Sequence, residues 1–167
     1  KYKRNGLSVE YDIIFKSLNF RLSDINAALA YSQLFKIDRF VNQRNLLVNT
    51  YFSYLSSSKY YNLPKRKSDI KSAWHLFPIK LNCSKKMKEK LILFFHKNKI
   101  LTQIHYKPIY YFTAFKDLKK VNKVNFIGAE NYYKKTLSIP LHLHLDAKKI
   151  AFICNKLDVF FKKKFKF

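Results

Sequence analysis

Glycine, cysteine and acidic residues are scarce in this chain. Two glycines and two cysteines occur in 167 residues, which excludes a glycine-rich phosphate loop, a paired-cysteine zinc motif and a disulfide framework. No apolar run approaches the ~20 residues that a membrane-spanning helix needs, and no leader-peptide pattern opens the sequence. We therefore expect a cytoplasmic protein without a membrane segment.

The shortage of acidic residues leaves a large positive charge. Ten acidic residues stand against 34 lysines and arginines, for a formal net charge of +24. Such a charge attracts polyanions such as nucleic acid, but the lysines are spread along the whole chain and accompany no nucleic-acid motif. We favour compositional drift towards Lys, Asn, Ile, Phe and Tyr and do not expect a nucleic-acid partner; a basic face for a phosphorylated ligand is the intermediate possibility.

What the chain does contain is enough apolar material for one domain with a core, since 48% of its residues are hydrophobic. Helical spacing of apolar residues predicts one long amphipathic helix over 23–55, or two with a bend, and further helices over 84–97, 128–136 and 146–163. Strands are predicted over 73–81, 100–106 and 137–140, with an exposed loop over 62–71. We expect an α+β fold in which helices cover a short antiparallel or mixed sheet.

Polar residues mark the boundaries of these elements. Ser23, Ser84 and Asp146 are predicted N-caps, because each side chain can accept a hydrogen bond from a first-turn amide. Pro78 removes a backbone donor from the strand over 73–81, which favours an edge position for that strand.

Two groups of histidines are candidates for chemistry. His142 and His144 form an HxH pair, but no carboxylate or cysteine cluster supplies further metal ligands, so we interpret them as exposed loop residues. His105 lies beside Tyr106 and Lys107 at a predicted strand end, where side chains commonly meet a ligand. Paired carboxylates and a Ser/His/Asp triad are missing. The residues alone indicate a basic α+β domain.

Four sequence blocks add a resemblance to a known family. They are "NFRLSDINAALAYSQL" (19–34), "SAWHLFPIKL" (72–81), "HYKPIYY" (105–111) and "GAENYYKKTLSIPL" (128–141). In this order they resemble the DegT/StrS-type sugar aminotransferases, in which Asn-x-Arg precedes a helix that begins with paired alanines. Within the family, the resemblance is greatest to the pseudaminic acid branch.

The resemblance implies the C-terminal part of a fold-type I enzyme that uses pyridoxal phosphate. It implies a segment from the edge of the cofactor domain (1–22), a linking helix (23–61) and a small C-terminal α+β domain (62–167). The implied reaction aminates a UDP-4-keto-6-deoxy-N-acetylhexosamine for cell-surface sugar synthesis, with glutamate as the donor, in a homodimer that shares its cofactor site. Nothing here matches the domain with the Schiff-base lysine, so we expect this chain alone to be inactive.

The resemblance also implies site residues. Asn19 and Arg21 would bind the cofactor phosphate of the neighbouring subunit, and in an extended segment residues i and i+2 point the same way. His105, Tyr106 and Lys107 would lie near the sugar nucleotide. No catalytic residue is assigned to this chain.

Two departures from the family pattern concern glycine. Ser17 and Lys99 stand where the family usually has glycine, and a side chain held at positive φ costs on the order of 1 kcal/mol. Two other functions stay open: a non-catalytic module that binds polyanions, and a truncated paralogue that binds a full-length partner.

Overall fold

The computed structural model describes residues 3–4, 11–12, 22–56, 58–115 and 126–164. Within these ranges the elements follow in the order β1 (Lys3–Arg4), β2 (Tyr11–Asp12), α1 (Asp24–Leu34), α2 (Ile37–Tyr54), β3 (Tyr61–Asn62), β4 (Phe77–Leu81), α3 (Lys85–Lys97), a 3₁₀ helix (Ile109–Tyr111), α4 (Ile127–Lys135), β5 (Thr136–Ile139) and α5 (Ala147–Lys164). The α+β class is confirmed.

The predicted long helix is two helices with a bend, one of the two forms that the sequence allowed. Ser23 caps α1, since its Oγ accepts from the Asn26 amide at 3.4 Å. A turn at Phe35 and Lys36 separates α1 from α2. Within the described residues, α1 has no buried side chain, and Ile25 is 83% exposed. The apolar side chains predicted to face the core are therefore exposed along α1, the first part of the predicted long helix.

The three-stranded sheet has the order β3-β4-β5 and is antiparallel, and β1 and β2 form a separate antiparallel pair. The edge position predicted for the strand with Pro78 is wrong, because β4 lies in the middle. Pro78 pairs with Ser138, whose amide and carbonyl instead bond Gln103 on the other side at 2.9 and 3.1 Å. The backbone nitrogen of Pro78 therefore points away from β5, towards the side on which β3 pairs with Lys80 and Leu81. The proline is tolerated where its missing donor has no ladder partner.

The prediction of a regular, hydrogen-bonded strand over 100–106 is also wrong. The structure has one isolated bridge there, between Gln103 and Ser138. Burial alternates along the segment as predicted, with Ile100, Thr102 and Ile104 buried. The neighbouring β5 is four residues long and ends before Pro140, which leaves little edge for a longer pairing.

The core lies between the sheet and helices α2, α3 and α5. Tyr51 of α2 stacks on Phe77 of β4 with ring centroids 4.7 Å apart, and its hydroxyl donates to the Pro140 carbonyl at 2.6 Å. The predicted inward residues of α5 are buried: Ile150, Ile153, Leu157, Phe160 and Phe161. Burying such side chains contributes about 25 cal/mol per Å² of apolar surface. The helices thereby fix the position of β5 and of the segment beside it.

The remaining predicted caps are confirmed. Ser84 Oγ accepts from the Met87 amide at 3.2 Å, and Asp146 Oδ1 accepts from the Lys149 amide at 2.8 Å. Beyond α3, Lys99 has φ 60°, the left-handed conformation that a glycine would favour. No helix in the described part of the chain has the length and hydropathy of a membrane span.

Candidate functional site

An open groove of about 800 Å³ lies at one end of the sheet. Its walls come from the chain after α3, the chain after β5 and the first turns of α5, and His75 and Leu76 close it from the side of β4. Since α3 and α5 are fixed by the core, the groove has firm walls. A concave, largely apolar surface of this size suits an organic ligand.

His105 is the sequence-predicted site residue that lines this groove. Its Nδ1 lies 2.9 Å from the Ser138 hydroxyl. Ser138 is 4% exposed and is held by its two backbone hydrogen bonds to Gln103. The serine hydroxyl is therefore too enclosed to act as a nucleophile, and it fixes the orientation of the imidazole instead.

The environment of His105 keeps it uncharged. Burial, followed by the nearby His75, lowers the pKa of His105 below its ordinary value. Because that value is about 6.5, lowering the pKa makes the neutral ring the major form at pH 7. With Nδ1 at Ser138, the other ring nitrogen, Nε2, is available to accept or donate one hydrogen bond.

Tyr106 and Lys107 do not join His105 in lining the groove. Tyr106 is 58% exposed and places its ring edge-on to His105, with centroids 4.8 Å apart. Lys107 Nζ lies 5.2 Å from the centroid of the Phe112 ring. Neither residue is among those that line the groove, and their binding role stays a prediction.

The structure adds cationic residues that sequence reasoning missed. Lys99, Lys148 and Lys149 line the groove. Lys149 contacts Asp146 at 3.2 Å and donates to the His144 carbonyl at 3.0 Å. The sequence marked Lys99 as a glycine replacement and Asp146 as a cap, but no pattern in it indicated that α3 and α5 bring these lysines to one groove.

The remaining site predictions have different outcomes. Asn19 and Arg21 lie outside the described residues, so their role stays a prediction. His142 and His144 are exposed, as predicted, and their ring centroids are 6.2 Å apart. Of this pair, His142 lines the groove. The described residues form no cluster of three or more side chains suited to a metal.

A buried carboxylate holds the segment that follows His105. Glu130 of α4 accepts a hydrogen bond from Tyr110 at 2.8 Å and lies 3.3 Å from Lys134 Nζ. Tyr110 belongs to the 3₁₀ helix (Ile109–Tyr111). Glu130 thus connects α4 to the chain that carries Tyr106 and Lys107.

Comparison with known proteins gives a consistent result. Residues 2–158 match the model of the DegT/DnrJ/EryC1/StrS aminotransferase family. A Campylobacter jejuni protein named UDP-4-amino-4,6-dideoxy-N-acetyl-beta-L-altrosamine transaminase is 34% identical over 150 residues, which are 87% of this chain and 39% of that protein. The Helicobacter pylori protein of that name is 33% identical over 144 residues, covering 83% of this chain and 37% of its own length.

Solved structures agree with the sequence comparisons. Helicobacter pylori PseC, an aminotransferase of pseudaminic acid biosynthesis, has a TM-score of 0.75 at 27% identity and covers 97% of this chain and 43% of its own. The PLP form of the sugar aminotransferase Spr1654 from Streptococcus pneumoniae has a TM-score of 0.77 at 25% identity, over 93% of this chain and 40% of its own. The chain spans about two fifths of the length of these relatives.

Proposed function

Because this chain belongs to the DegT/DnrJ/EryC1/StrS aminotransferase family, we propose that it is the C-terminal part of a pyridoxal-phosphate-dependent enzyme that aminates a nucleotide-linked keto sugar. The observation that carries the proposal is the family match over residues 2–158, together with 34% identity to a UDP-sugar transaminase. The relatives' names support a UDP-4-keto-6-deoxy-N-acetylhexosamine as the acceptor, within a pathway of the pseudaminic acid type. We further propose glutamate as the donor and a homodimer in the cytoplasm.

The proposed cofactor contacts are Asn19 and Arg21. A guanidinium group provides a charged two-pronged donor and an amide provides one more, so the donor set fits a phosphate. When bound, pyridoxal phosphate carries the amino group between donor and acceptor. The lysine that would hold it covalently is assigned to a part of the enzyme outside this match, and no catalytic step is assigned to residues of this chain.

The proposed substrate contacts are His105, Tyr106 and Lys107. His105 supports this role best, because its neutral ring is oriented by Ser138 and lines the groove. Tyr106 and Lys107 follow His105 directly in the chain, and a hydroxyl and a cation suit hydrogen bonds to the sugar or its phosphates.

The experiment is an amination assay on a fusion protein. The chain, from Lys1 onwards, replaces the matching C-terminal part of the Campylobacter jejuni relative, and conversion of the UDP-4-keto sugar is measured with glutamate and pyridoxal phosphate. We expect turnover by the fusion and none by the 167-residue chain alone. Arg21→Met should reduce turnover and raise the cofactor concentration needed, whereas Arg39→Met, at an exposed position on α2, should change neither.

Turnover by the isolated chain would contradict the assignment of the lysine to another domain. A folded fusion that binds the cofactor but never aminates a sugar nucleotide would contradict the proposed reaction.

A further inference from the structure

The segment 72–75, just before β4, contains an unfavourable backbone conformation. Trp74 has φ 44°, which a bulky residue rarely adopts. The Trp74 amide donates a hydrogen bond to the Ser72 hydroxyl at 3.2 Å, a local contact that closes the segment on itself. Strained residues persist only where their surroundings hold them, and they are concentrated at functional sites. Contacts from elsewhere in the fold must therefore keep Trp74 in place.

Two side chains of α2 provide these contacts. Nη1 of Arg44 donates to the carbonyls of both Trp74 and His75, at 3.1 and 3.2 Å. Beside it, Asn45 Nδ2 donates to the Ser72 carbonyl at 2.9 Å. Hydrogen bonds from a charged donor are the stronger kind, and no carboxylate in the described ranges forms an ion pair with Arg44. The segment is thus held to α2 at three backbone carbonyls.

The position of His75 depends on these contacts, because the sheet does not extend to it. The first pair between β4 and β5 is Phe77 with Ile139, and β3 pairs further along β4. His75 precedes the strand, yet it lines the groove together with Leu76. Its place in the groove wall is therefore determined by how α2 holds the segment.

His75 in turn acts on His105. Burial, and after it the charge of His75, lowers the pKa of His105, since a like charge nearby disfavours the protonated ring. The other ionisable side chains that line the groove belong to different parts of the chain: Lys99 after α3, His142 after β5, and Lys148 and Lys149 in α5. The electrostatic effect of His75 on His105 thus depends on where the segment places His75.

We propose that Arg44 and Asn45 are positioning residues, which hold the strained segment at Trp74 so that His75 lies in the wall of the groove that His105 lines. Neither Arg44 nor Asn45 lines the groove itself, so both act through His75. The part that His105 plays towards a sugar substrate rests on the proposed function, whereas the hydrogen bonds of Arg44 and Asn45 do not.

The test is an NMR titration of the histidine rings in the 167-residue chain. We expect Arg44→Met to raise the pKa of His105, because the like charge of His75 moves away. Asn45→Ala should raise it too, and since this substitution changes no charge, its effect reports displacement of the segment alone. The matched controls, at exposed positions of α2, are Arg39→Met and Asn42→Ala. A rise in the controls as large as in the test variants would contradict the positioning role.

A double variant shows whether the effect passes through His75. In a chain that already carries His75→Gln, Arg44→Met should raise the pKa of His105 no further, because residues that act through one another are not additive. An equal rise with and without His75 would mean that Arg44 acts through its own charge, and would overturn the role proposed for it.

Trp74 gives an independent signal, because it is the single tryptophan of the chain. Its half-buried ring lies 6.0 Å from that of Phe77. We expect Arg44→Met to shift the tryptophan emission to longer wavelength as the ring meets more water, whereas His75→Gln, which keeps the backbone carbonyl, should not. Amide spectra establish that each variant is folded. Unchanged emission in folded Arg44→Met would contradict the holding of the segment, and Asn45→Ala provides both measurements if Arg44→Met does not fold.

These measurements need neither cofactor nor sugar nucleotide, so they are independent of the proposed reaction. In the fusion protein, Arg44→Met should raise the KM for the keto sugar severalfold and leave the cofactor concentration needed unchanged. An inactive fusion together with a raised His105 pKa in Arg44→Met would contradict the proposed function and support the positioning role. An active fusion together with an unchanged His105 pKa would do the reverse.

Discussion

At the scale of single residues, Glu130 shows how the fold stabilises a buried charge. The residue is 7% exposed, and burial alone would raise its pKa. Hydrogen bonds from Tyr111, Tyr110 and Lys134 outweigh burial and lower the pKa below its ordinary value. In turn, burial and the hydrogen bond to this carboxylate raise the pKa of Tyr110 to about 12. The ionised form of Glu130 is therefore more stable, relative to the protonated form, in the folded chain than in the unfolded chain.

Replacing Glu130 with glutamine should destabilise the protein at neutral pH. A lowered pKa in the folded state contributes stability above the unfolded value of about 4.3 and loses it as pH falls through the folded value. We expect Glu130→Gln to reduce the free energy of unfolding by about 1–2 kcal/mol at pH 7, with the difference from wild type narrowing below about pH 4. Urea unfolding at both pH values measures it.

The control for this prediction is Glu89→Gln. Glu89 is an exposed carboxylate, 3.9 Å from Lys85 on the surface of α3. Its replacement should cost less than about 0.5 kcal/mol at pH 7. An equal decrease in the free energy of unfolding for Glu89→Gln and Glu130→Gln would show that the hydrogen bonds around Glu130 stabilise the fold no more than an exposed ion pair does.

His105 offers a second test at this scale. Burial and His75 both lower the pKa of His105, so the folded state resists protonation and loses stability as pH falls below about 6.5. We expect His75→Gln to raise the pKa of His105 while leaving it below the ordinary value, because the burial remains. An NMR titration measures the pKa of His105, and an unchanged value in His75→Gln would contradict the proposed electrostatic effect of His75.

At the scale of elements, the end of α3 is a Schellman motif built without glycine. The Lys99 amide bonds the His96 carbonyl and the Ile100 amide bonds the Phe95 carbonyl, both at 2.9 Å, while Lys99 takes φ 60°. This pattern normally places glycine where Lys99 stands. The motif is thus kept although its positive φ is energetically unfavourable for a residue that carries a Cβ atom.

Lys99→Gly should therefore stabilise the chain, by roughly 0.5–1 kcal/mol after the greater chain entropy of glycine is subtracted. Lys99→Ala keeps a Cβ at positive φ and should give no such gain. Thermal and urea unfolding of both variants measure the difference. A destabilised Lys99→Gly variant would mean that contacts of the lysine side chain outweigh the backbone strain.

Elements also show what could be predicted from the sequence. The positions of the later helices could be predicted, because the caps at Ser84 and Asp146 and the apolar spacing of α5 depend on residues only a few positions apart in the chain. Strand pairing did not, since it depends on partners far away: Pro78 lies in a central strand because β3 pairs beyond it, and 100–106 makes one bridge because β5 is short. The lysines of the groove were missed for the same reason.

At the scale of the whole molecule, α1 is the α-helix least integrated with the core among those that the structure describes. Ile25, Leu29 and Leu34 are 83%, 60% and 58% exposed. Such apolar surface commonly marks an interaction site. We expect the isolated chain to self-associate through this face.

The double variant Ile25→Gln and Leu29→Gln should reduce self-association in sedimentation velocity while changing the free energy of unfolding by less than about 0.5 kcal/mol. Leu157→Ala, at a fully buried position of α5, is the contrasting variant and should lose about 2–5 kcal/mol. Association that is unchanged in the double variant would place the contact elsewhere.

The central claim, that this chain is one part of a longer aminotransferase, is tested most directly by sequencing the coding DNA upstream of the codon for Lys1. We expect an open reading frame that continues upstream into a domain with the cofactor lysine, matching the three fifths of the relatives that this chain does not span. A start codon directly before Lys1, preceded by a stop codon in the same frame, would contradict it.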